Sequence, residues 1–251
     1  MRARPTGFER QIAFDGCFNF RDLGGYRTRD DRWVLPQRLY RADGPHALTR
    51  DDVATLRSLD LATVIDLRTP DAVGERGCFI ALLDNAVEFH LPMIDVLPDT
   101  DALPDWIDPL VVATQYRSML DTGEATIAES LAILSDPSAY PAMFHCSAGK
   151  DRTGILAAVL LGVLGVPDET IVADYALSAT AMHRLIEHYR QKYPDAGEQL
   201  QRVAPAMVAA YPEAMATLLA GLRRDYGSFE EYAAAIGVGS ATKHIRAAVL
   251  T

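Results

Sequence analysis

The chain has 251 residues, of which 49% are hydrophobic and 23% charged, a composition typical of a globular protein with a sizeable core. Its formal net charge of -10 argues against nucleic-acid binding, which needs a basic surface, and against attraction to an anionic membrane. No apolar run approaches the roughly twenty residues that span a bilayer, and the N-terminus lacks the apolar core of a secretory signal. We therefore expect a cytoplasmic protein that forms a single domain over residues 1–251, without stable membrane insertion. Export by a route without a visible signal stays open.

Three cysteines, Cys17, Cys78 and Cys146, are too few and too scattered for a disulfide framework. The sequence contains no CxxC or HExxH motif, so it predicts neither a metal site nor any other cofactor. Cys17 and Cys78 have no basic or glycine-rich neighbours, and we expect both to be structural.

The first forty residues, with aromatic residues, glycine pairs and short apolar pieces, predict a small segment of strands and turns. Thr49 suits the N-cap of a helix over TRDDVATLRSL, because acidic residues follow it in the first turn. ATVIDLRTP predicts a buried strand that runs into a loop at Asp66 and Arg68. VEFHLPMIDV (87–96) predicts the next strand.

Helical periodicity follows in WIDPLVVATQYRSMLD and TIAESLAILSD, and YPAMFHC predicts a third strand. RTGILAAVLLGVLG is apolar on nearly all sides, which indicates a buried helix. Pro167 then takes a first-turn position in a helical stretch that continues to KYP, and the last sixty residues are helical in pattern. Strands interleaved with helices, followed by a helical tail, predict an α/β domain with a mostly parallel central sheet.

Residues 145–154 read HCSAGKDRTG and lie between the third predicted strand and the buried helix. At such a junction, free backbone N–H groups and the helix dipole attract anions. Ala148 and Gly149 keep bulky side chains out of the loop, so that successive amides can point inward. Arg152 adds a planar guanidinium that can bind two phosphate oxygens. The pattern predicts a binding site for a phosphate-sized anion.

Cys146 adds a nucleophile to this loop. A thiol beside a helix N-terminus and a guanidinium ionises readily, and its thiolate can attack phosphorus to form a phosphocysteine that water later hydrolyses. Thr153 can donate a hydrogen bond to the sulfur and ease its departure. His145 is expected to fix the loop through its ring N–H, because an ionised thiol needs no base.

The leaving oxygen needs a proton, which a nearby carboxylic acid can supply. Asp151 lies within the loop itself. Asp66 lies at the end of another predicted strand, and the carboxyl ends of parallel strands share one edge of a sheet. We favour Asp151 as the acid and keep Asp66 as its rival, although Asp66 could equally pair with Arg68. Arg21 and Asp22, in FRDLGG, are expected to hold a turn against the sheet, and we favour this role slightly over contact with the substrate.

A cysteine, five residues, an arginine and then Thr-Gly form the signature of the cysteine-dependent phosphatase superfamily. Together with NFRDLGG (19–25), YRAD (40–43) and DLRT (66–69), this loop resembles the atypical bacterial tyrosine phosphatases of the PtpB-like and LipA-like group. DYGSFEEY and IGV, within 225–238, are also similar to the C-terminal end of that group. The resemblance implies the cysteine-phosphatase fold, with helices flanking the sheet.

The resemblance also implies roles for the loop residues. Cys146 is then the nucleophile, Arg152 binds the phosphate and Asp151 is the acid. Lys150 is expected at the rim, where it attracts a dianionic substrate, with a solvated surface charge as the alternative. The residues expected to surround the phosphate are His145, Ser147, Ala148, Gly149, Lys150, Thr153 and Gly154.

The implied substrates are phosphotyrosine proteins, with phosphoserine, phosphothreonine and phosphoinositides as further candidates, because the Lys-Asp pair is similar to loops of phosphoinositide phosphatases. Phosphate is the implied product and inhibitor. The sequence has no WPD-type acid loop, unlike the eukaryotic tyrosine phosphatases. Some relatives cover the active site with mobile helices, and 181–210 could be such a lid within a helical C-terminal part at roughly 179–251.

Two other classes stay open on the residues alone. Rhodanese-type sulfurtransferases also place a cysteine in an anion-binding loop, but that loop is typically one residue shorter and lacks the Thr-Gly. A catalytically silent phosphate-binding module usually has a damaged signature, whereas here cysteine, arginine, threonine and a nearby acid are all present.

Overall fold

The computed structural model describes residues 6–45, 47–94, 108–192 and 208–251. Within them, one sheet carries five strands. The strands are β1 (Arg21–Asp22), β2 (Leu39–Ala42), β3 (Thr63–Asp66), β4 (Val87–His90) and β5 (Ala142–His145).

The strands lie in the order β1-β2-β5-β3-β4, and only the β1–β2 pair is antiparallel. The predicted mostly parallel α/β sheet is therefore confirmed. On β5, His145 pairs in register with Ala42 of β2 on one side and Asp66 of β3 on the other. The carboxyl ends of the three central strands thus meet at one edge of the sheet.

Helices flank this sheet. In the first half they are α1 (Arg50–Ser58), α2 (Pro70–Arg76), α3 (Pro109–Thr122) and α4 (Glu124–Ile133). The second half contains α5 (Asp151–Val163), α6 (Asp168–Ala176), α7 (Ser178–Lys192), α8 (Pro212–Tyr226), α9 (Phe229–Ala235) and α10 (Gly239–Val249). In the part of the chain that the structure describes, no helix is both long and apolar enough to cross a membrane.

Local sequence explains several boundaries. The predicted N-cap at Thr49 is confirmed, because its hydroxyl accepts from Asp52 N while the Asp52 carboxylate accepts from Thr49 N. The strand predicted over 87–96 is too long: β4 ends at His90, close to Pro92, which has no N–H to donate to a sheet. Residues 95 and 96 lie outside the described residues.

The helical stretch predicted from Pro167 is two helices, because a tight turn at Leu177 separates α6 from α7. Pro167 precedes the first helical residue and takes the N-cap position, so its predicted first-turn position is wrong by one residue. Ala209 and Ala210 are not helical, which departs from the helical pattern of the last sixty residues. Residues 193–207, within the candidate lid at 181–210, lie outside the described residues.

The core is built around α5, in which every residue from Arg152 to Val163 is buried, as the sequence predicts. A Cβ on Gly162 would lie 2.4 Å from the ring of Phe229, so the glycine permits α9 to pack closely on α5. Met215 of α8 and Ile245 of α10 belong to the same hydrophobic cluster as Leu156 of α5. The C-terminal helices from Pro212 onward therefore share the core of the sheet.

Candidate active site

The predicted anion loop connects β5 to α5 at the edge where the central strands end. We call residues 146–150 the Cys146 loop. Cys146 follows the last residue of β5, and Asp151 begins α5. The loop therefore lies directly on the N-terminus of a fully buried helix, where N–H groups lack helical partners and the dipole is positive.

The carbonyl groups of the Cys146 loop point outward into the protein. Ser147 O accepts from Gly44 N at 3.1 Å, Ala148 O from Asn19 Nδ2 at 3.0 Å, and Gly149 O from Arg41 Nη2 at 2.7 Å. In a trans peptide the C=O and the next N–H point in opposite directions. The amides of Ala148, Gly149 and Lys150 are thereby turned toward the inside of the loop, which forms a nest for an anion.

Gly149 is required by this geometry. Its φ of +65° lies in the left-handed region, and a Cβ at this position would lie 2.6 Å from Ala42 O at the end of β2. Both the backbone conformation and the close approach of β2 exclude a side chain.

The side chains of Cys146, Arg152 and Thr153 are all buried. Cys146 is 2% exposed, and the Arg152 guanidinium lies 3.4 Å from Leu67 O and 3.5 Å from Ser147 Oγ. The Thr153 hydroxyl is buried and has no hydrogen-bond partner among the described residues. A buried hydroxyl without a hydrogen-bond partner costs free energy of folding. We therefore expect Thr153 to form a hydrogen bond with a group that the site binds or forms.

A buried ion-pair cluster supports the loop from behind. Asp174 of α6 accepts from Arg41 Nη1 at 2.8 Å and from Arg21 Nε at 3.0 Å. Burial and the charge of Arg21 lower the pKa of Arg41 to about 10, while Asp174 and Cys146 oppose that decrease. Arg41 thus connects Asp174 to the backbone of Gly149 in the Cys146 loop.

Residues 17–19 of the N-terminal segment also stabilise the Cys146 loop through hydrogen bonds. The Asp43 carboxylate accepts from Phe18 N at 2.9 Å and from Asn19 N at 2.8 Å, and Asn19 in turn donates to Ala148 O. Cys17 Sγ lies 2.8 Å from the same carboxylate, and burial with the nearby Asp43 charge raises the pKa of this thiol. Cys17 is therefore a protonated, buried thiol in a structural setting, as expected.

Asp151 faces a pair of buried tyrosines. The Tyr116 hydroxyl of α3 donates a short hydrogen bond to Asp151 Oδ1, and Tyr175 of α6 lies 2.5 Å from Tyr116 between hydroxyl oxygens. Lys150 Nζ lies 3.6 Å from the same Oδ1 and donates to Ala209 O at 3.2 Å. With 6% exposure Lys150 is buried, so the alternative of a solvated surface charge is wrong.

Asp66 has a different environment. Its two carboxylate oxygens both accept from Arg68 Nε, at 2.9 and 3.0 Å, and Oδ2 also accepts from Arg68 Nη2. Burial alone would raise the pKa of Asp66, but the Arg68 hydrogen bonds and the His145 ring hold it below its ordinary value. In the described ranges no group of three His, Cys, Asp or Glu side chains could hold a metal ion.

His145 is held as a neutral ring. Its Nδ1 lies 3.4 Å from Cys146 O and its Nε2 3.7 Å from Asp66 Oδ2, with the Phe79 ring packed edge-on. Burial lowers its pKa to about 4 despite the Asp66 charge. The ring therefore contacts the backbone of Cys146 through Nδ1, and the expectation that His145 fixes the loop stays a prediction.

Five further residues around the site were not singled out for a role from sequence: Asn19, Arg41, Tyr116, Asp174 and Tyr175. Arg41 and Asn19 lie in the stretches YRAD and NFRDLGG that carry the family resemblance. Tyr116, Asp174 and Tyr175 lie on helical stretches with ordinary amphipathic patterns, and no local signal distinguishes them. Asp22 accepts from Gly24 N and Gln37 N and so ties a turn, as expected, whereas Arg21 supports the loop through Asp174.

The fold and this loop define a cysteine-dependent phosphatase. The model of the tyrosine phosphatase family matches residues 12–251, and the chain belongs to that family. The expected cysteine-phosphatase fold is thereby confirmed.

Two relatives are similar over most of their length. A protein of Cupriavidus necator that is named a tyrosine-protein phosphatase is 30% identical over 237 residues, covering 88% of this chain and 82% of its own. The triple specificity protein phosphatase PtpB of Mycobacterium tuberculosis is 26% identical over 269 residues, covering 90% and 94%. Among solved structures, Pseudomonas aeruginosa TpbA matches at 20% identity with a TM-score of 0.30, covering 70% of this chain and 90% of that one.

Proposed function

We propose that this protein is a protein-tyrosine phosphatase that hydrolyses phosphomonoesters through a phosphocysteine intermediate. The observation that carries the proposal is that the carbonyl groups of Ser147, Ala148 and Gly149 all accept hydrogen bonds from outside the loop. The amides that follow them are thereby turned toward the inside of the loop, between Cys146 and Arg152 in the chain. Membership of the tyrosine phosphatase family supports the reaction class and argues against a sulfurtransferase.

In the first step the Cys146 thiolate attacks phosphorus, and the bond from phosphorus to the leaving oxygen breaks. Arg152 and the amides of Ser147 to Arg152 stabilise the transferring phosphoryl group, an electrostatic contribution that is usually the largest in such sites. Asp151 gives its proton to the leaving oxygen. In the second step water attacks the phosphocysteine, inorganic phosphate forms, and the Thr153 hydroxyl, which has no partner among the described residues, donates to the departing sulfur.

Asp151 is favoured over Asp66 as the acid by the contrast between their environments. Both Asp66 carboxylate oxygens accept hydrogen bonds from Arg68, and the pKa of Asp66 is lowered. Asp66 is therefore ionised near neutral pH and carries no proton to donate. The Asp151 side chain is about one-third exposed, and Asp151 is the first residue of α5. Asp66 then supports the site through His145 and Arg68.

For the substrate we propose phosphotyrosine proteins first, with phosphoserine, phosphothreonine and phosphoinositides as further substrates. The name of the Mycobacterium relative, a triple specificity phosphatase, supports this breadth. The buried Lys150 ammonium, at the end of the Cys146 loop and beside Asp151, supplies positive charge to the site. That charge favours binding of a dianionic phosphate group of the substrate. Inorganic phosphate is the product and a competitive inhibitor. We also propose a single domain and a cytoplasmic location, where the nucleophile stays reduced.

The nucleophile is tested with Cys146→Ser, using Cys78→Ser as the matched control. We expect hydrolysis of an aryl phosphate to fall by more than about a thousandfold for Cys146→Ser and to stay unchanged for the control. Binding of inorganic phosphate to Cys146→Ser, measured by calorimetry, should stay within about threefold of the parent because the amides and Arg152 remain. A Cys146→Ser protein with full turnover contradicts the proposal.

The acid is tested by comparing Asp151→Asn with Asp66→Asn on substrates with good and poor leaving groups. The variant that loses more on the poor leaving group has lost the acid. We expect that to be Asp151→Asn, and a larger selective loss for Asp66→Asn would reverse the assignment.

A further inference from the structure

We propose that Tyr116, supported by Tyr175, is a positioning residue that fixes which oxygen of Asp151 carries the catalytic proton. The inference rests on the proposed function, in which Asp151 is the acid. It concerns two tyrosines that come from different helices, α3 and α6, and that are each 1% exposed.

The direction of the hydrogen bonds follows from the groups involved. A carboxylate oxygen can only accept, so Tyr116 donates its hydroxyl proton to Asp151 Oδ1. Tyr116 has a single proton to donate, so the bond between the two hydroxyl oxygens is donated by Tyr175. The chain therefore runs from Tyr175 through Tyr116 to Asp151 in one direction.

This chain selects between the two Asp151 oxygens. Tyr116 and the Lys150 ammonium both face Oδ1, which disfavours a proton on that atom. When Asp151 is protonated, the proton is therefore placed on Oδ2. Burial and the neighbouring Asp151 carboxylate raise the pKa of Tyr116, so this hydroxyl stays a neutral donor throughout the working pH range.

The position of Tyr175 is itself fixed. Its ring lies against Gly154 of α5, where an added Cβ would approach Tyr175 Cδ2 to 3.1 Å. Its chain neighbour Asp174 is held by Arg21 and Arg41. The tyrosine pair is thus anchored to the same elements that carry the Cys146 loop, and it holds the acid at a set distance from the bound phosphoryl group.

The test measures kcat/KM for a series of aryl phosphates with leaving groups of increasing pKa, in the parent, Tyr116→Phe, Asp151→Asn and the double variant. For Tyr116→Phe we expect a loss of about tenfold on phenyl phosphate and of less than about twofold on the most activated ester. In the Asp151→Asn background, the same substitution should leave the leaving-group dependence unchanged, because the group it positions is absent.

Tyr140→Phe is the matched control, since the Tyr140 hydroxyl is also buried but donates to Leu134 O near the opposite end of β5. It should leave the leaving-group dependence unaltered. If Tyr116→Phe does not fold, Tyr175→Phe, which removes only the supporting bond, should show the same selective loss at about threefold. An equal loss across the series for the tyrosine variants, with Cys146-dependent hydrolysis intact in the parent, overturns this inference and leaves the proposed function standing. A parent that hydrolyses no phosphomonoester overturns both.

Discussion

Arg41 and Asp174 form an ion pair behind the Cys146 loop, with 2.8 Å between Nη1 and Oδ2 and no exposed surface on either side chain. Arg21 shares the same carboxylate. Two guanidinium groups and one carboxylate leave a net positive charge buried beside Cys146. That charge complements an anion in the loop, and Asp174 keeps the two arginines together.

Removal of the shared carboxylate should destabilise the fold strongly. We expect Asp174→Asn to lower the free energy of unfolding by about 3–5 kcal/mol, because two buried guanidinium groups lose their counter-charge. Urea unfolding at pH 7 measures the change. Asp225→Asn is the control: Asp225 pairs with Arg117 and Arg224 near the surface, so its loss should be much smaller. Equal losses of unfolding free energy in the two variants would show that the buried ion pairs of Asp174 stabilise the fold no more than the surface pairs of Asp225.

The charge of Arg41 should affect the reactivity of the nucleophile. We expect Arg41→Met to slow alkylation of Cys146 by iodoacetamide at pH 6 by about tenfold, because a nearby cation favours the thiolate. Arg38→Met, at the opposite end of β2, should leave the rate unchanged. Mass spectrometry of the modified peptide follows the reaction at Cys146 alone. An unchanged rate in Arg41→Met would exclude an electrostatic role for this arginine.

A methyl group at Gly149 should damage catalysis. We expect Gly149→Ala to lower kcat/KM by more than about tenfold, because φ is +65° and the new Cβ would meet Ala42 O, which forces the loop amides out of line. Gly74→Ala is the matched control, since Gly74 lies in α2 and an added Cβ there would have no atom within 4 Å. It should keep full activity and gain up to about 1 kcal/mol in unfolding free energy. A fully active Gly149→Ala would contradict the geometry of the loop.

His145 should make stability depend on pH in a defined window. Its pKa is about 4 in the folded state and about 6.5 when exposed, so the unfolded chain binds more protons between these values. The stability that the neutral His145 ring contributes is fully present above about pH 6.5. Below that pH the free energy of unfolding declines through this group, by roughly 3 kcal/mol at pH 4. Urea unfolding from pH 7 to 4 should show a shallower decline for His145→Asn than for the parent. The exposed His183→Asn should keep the parent slope.

The sequence predicts those parts of the site that are contiguous in the chain. The Cys146 loop needs small residues, an arginine and a following helix within ten positions, and each is visible in HCSAGKDRTG. The same holds for the pair of Asp66 and Arg68, two residues apart. Element types were also predictable, because the apolar strands and the all-round apolar α5 have distinct patterns.

The long-range partners were not predictable from one sequence. Asp174 reaches Arg41 across 133 positions, and Tyr116 reaches Asp151 across 35. An aspartate or tyrosine on an amphipathic helix looks the same whether it faces solvent or supports a loop, since only packing decides its partner. The burial of Lys150 has the same origin, because it depends on chain near Ala209 that lies far along the sequence.

Asp174 and Tyr175 are consecutive residues of α6, yet one holds the arginines and the other holds Tyr116. A small rotation of this single helix would displace the partners of the Cys146 loop and of Asp151 at the same time. A substitution that shifts α6 should therefore change the surroundings of Cys146 and of Asp151 together.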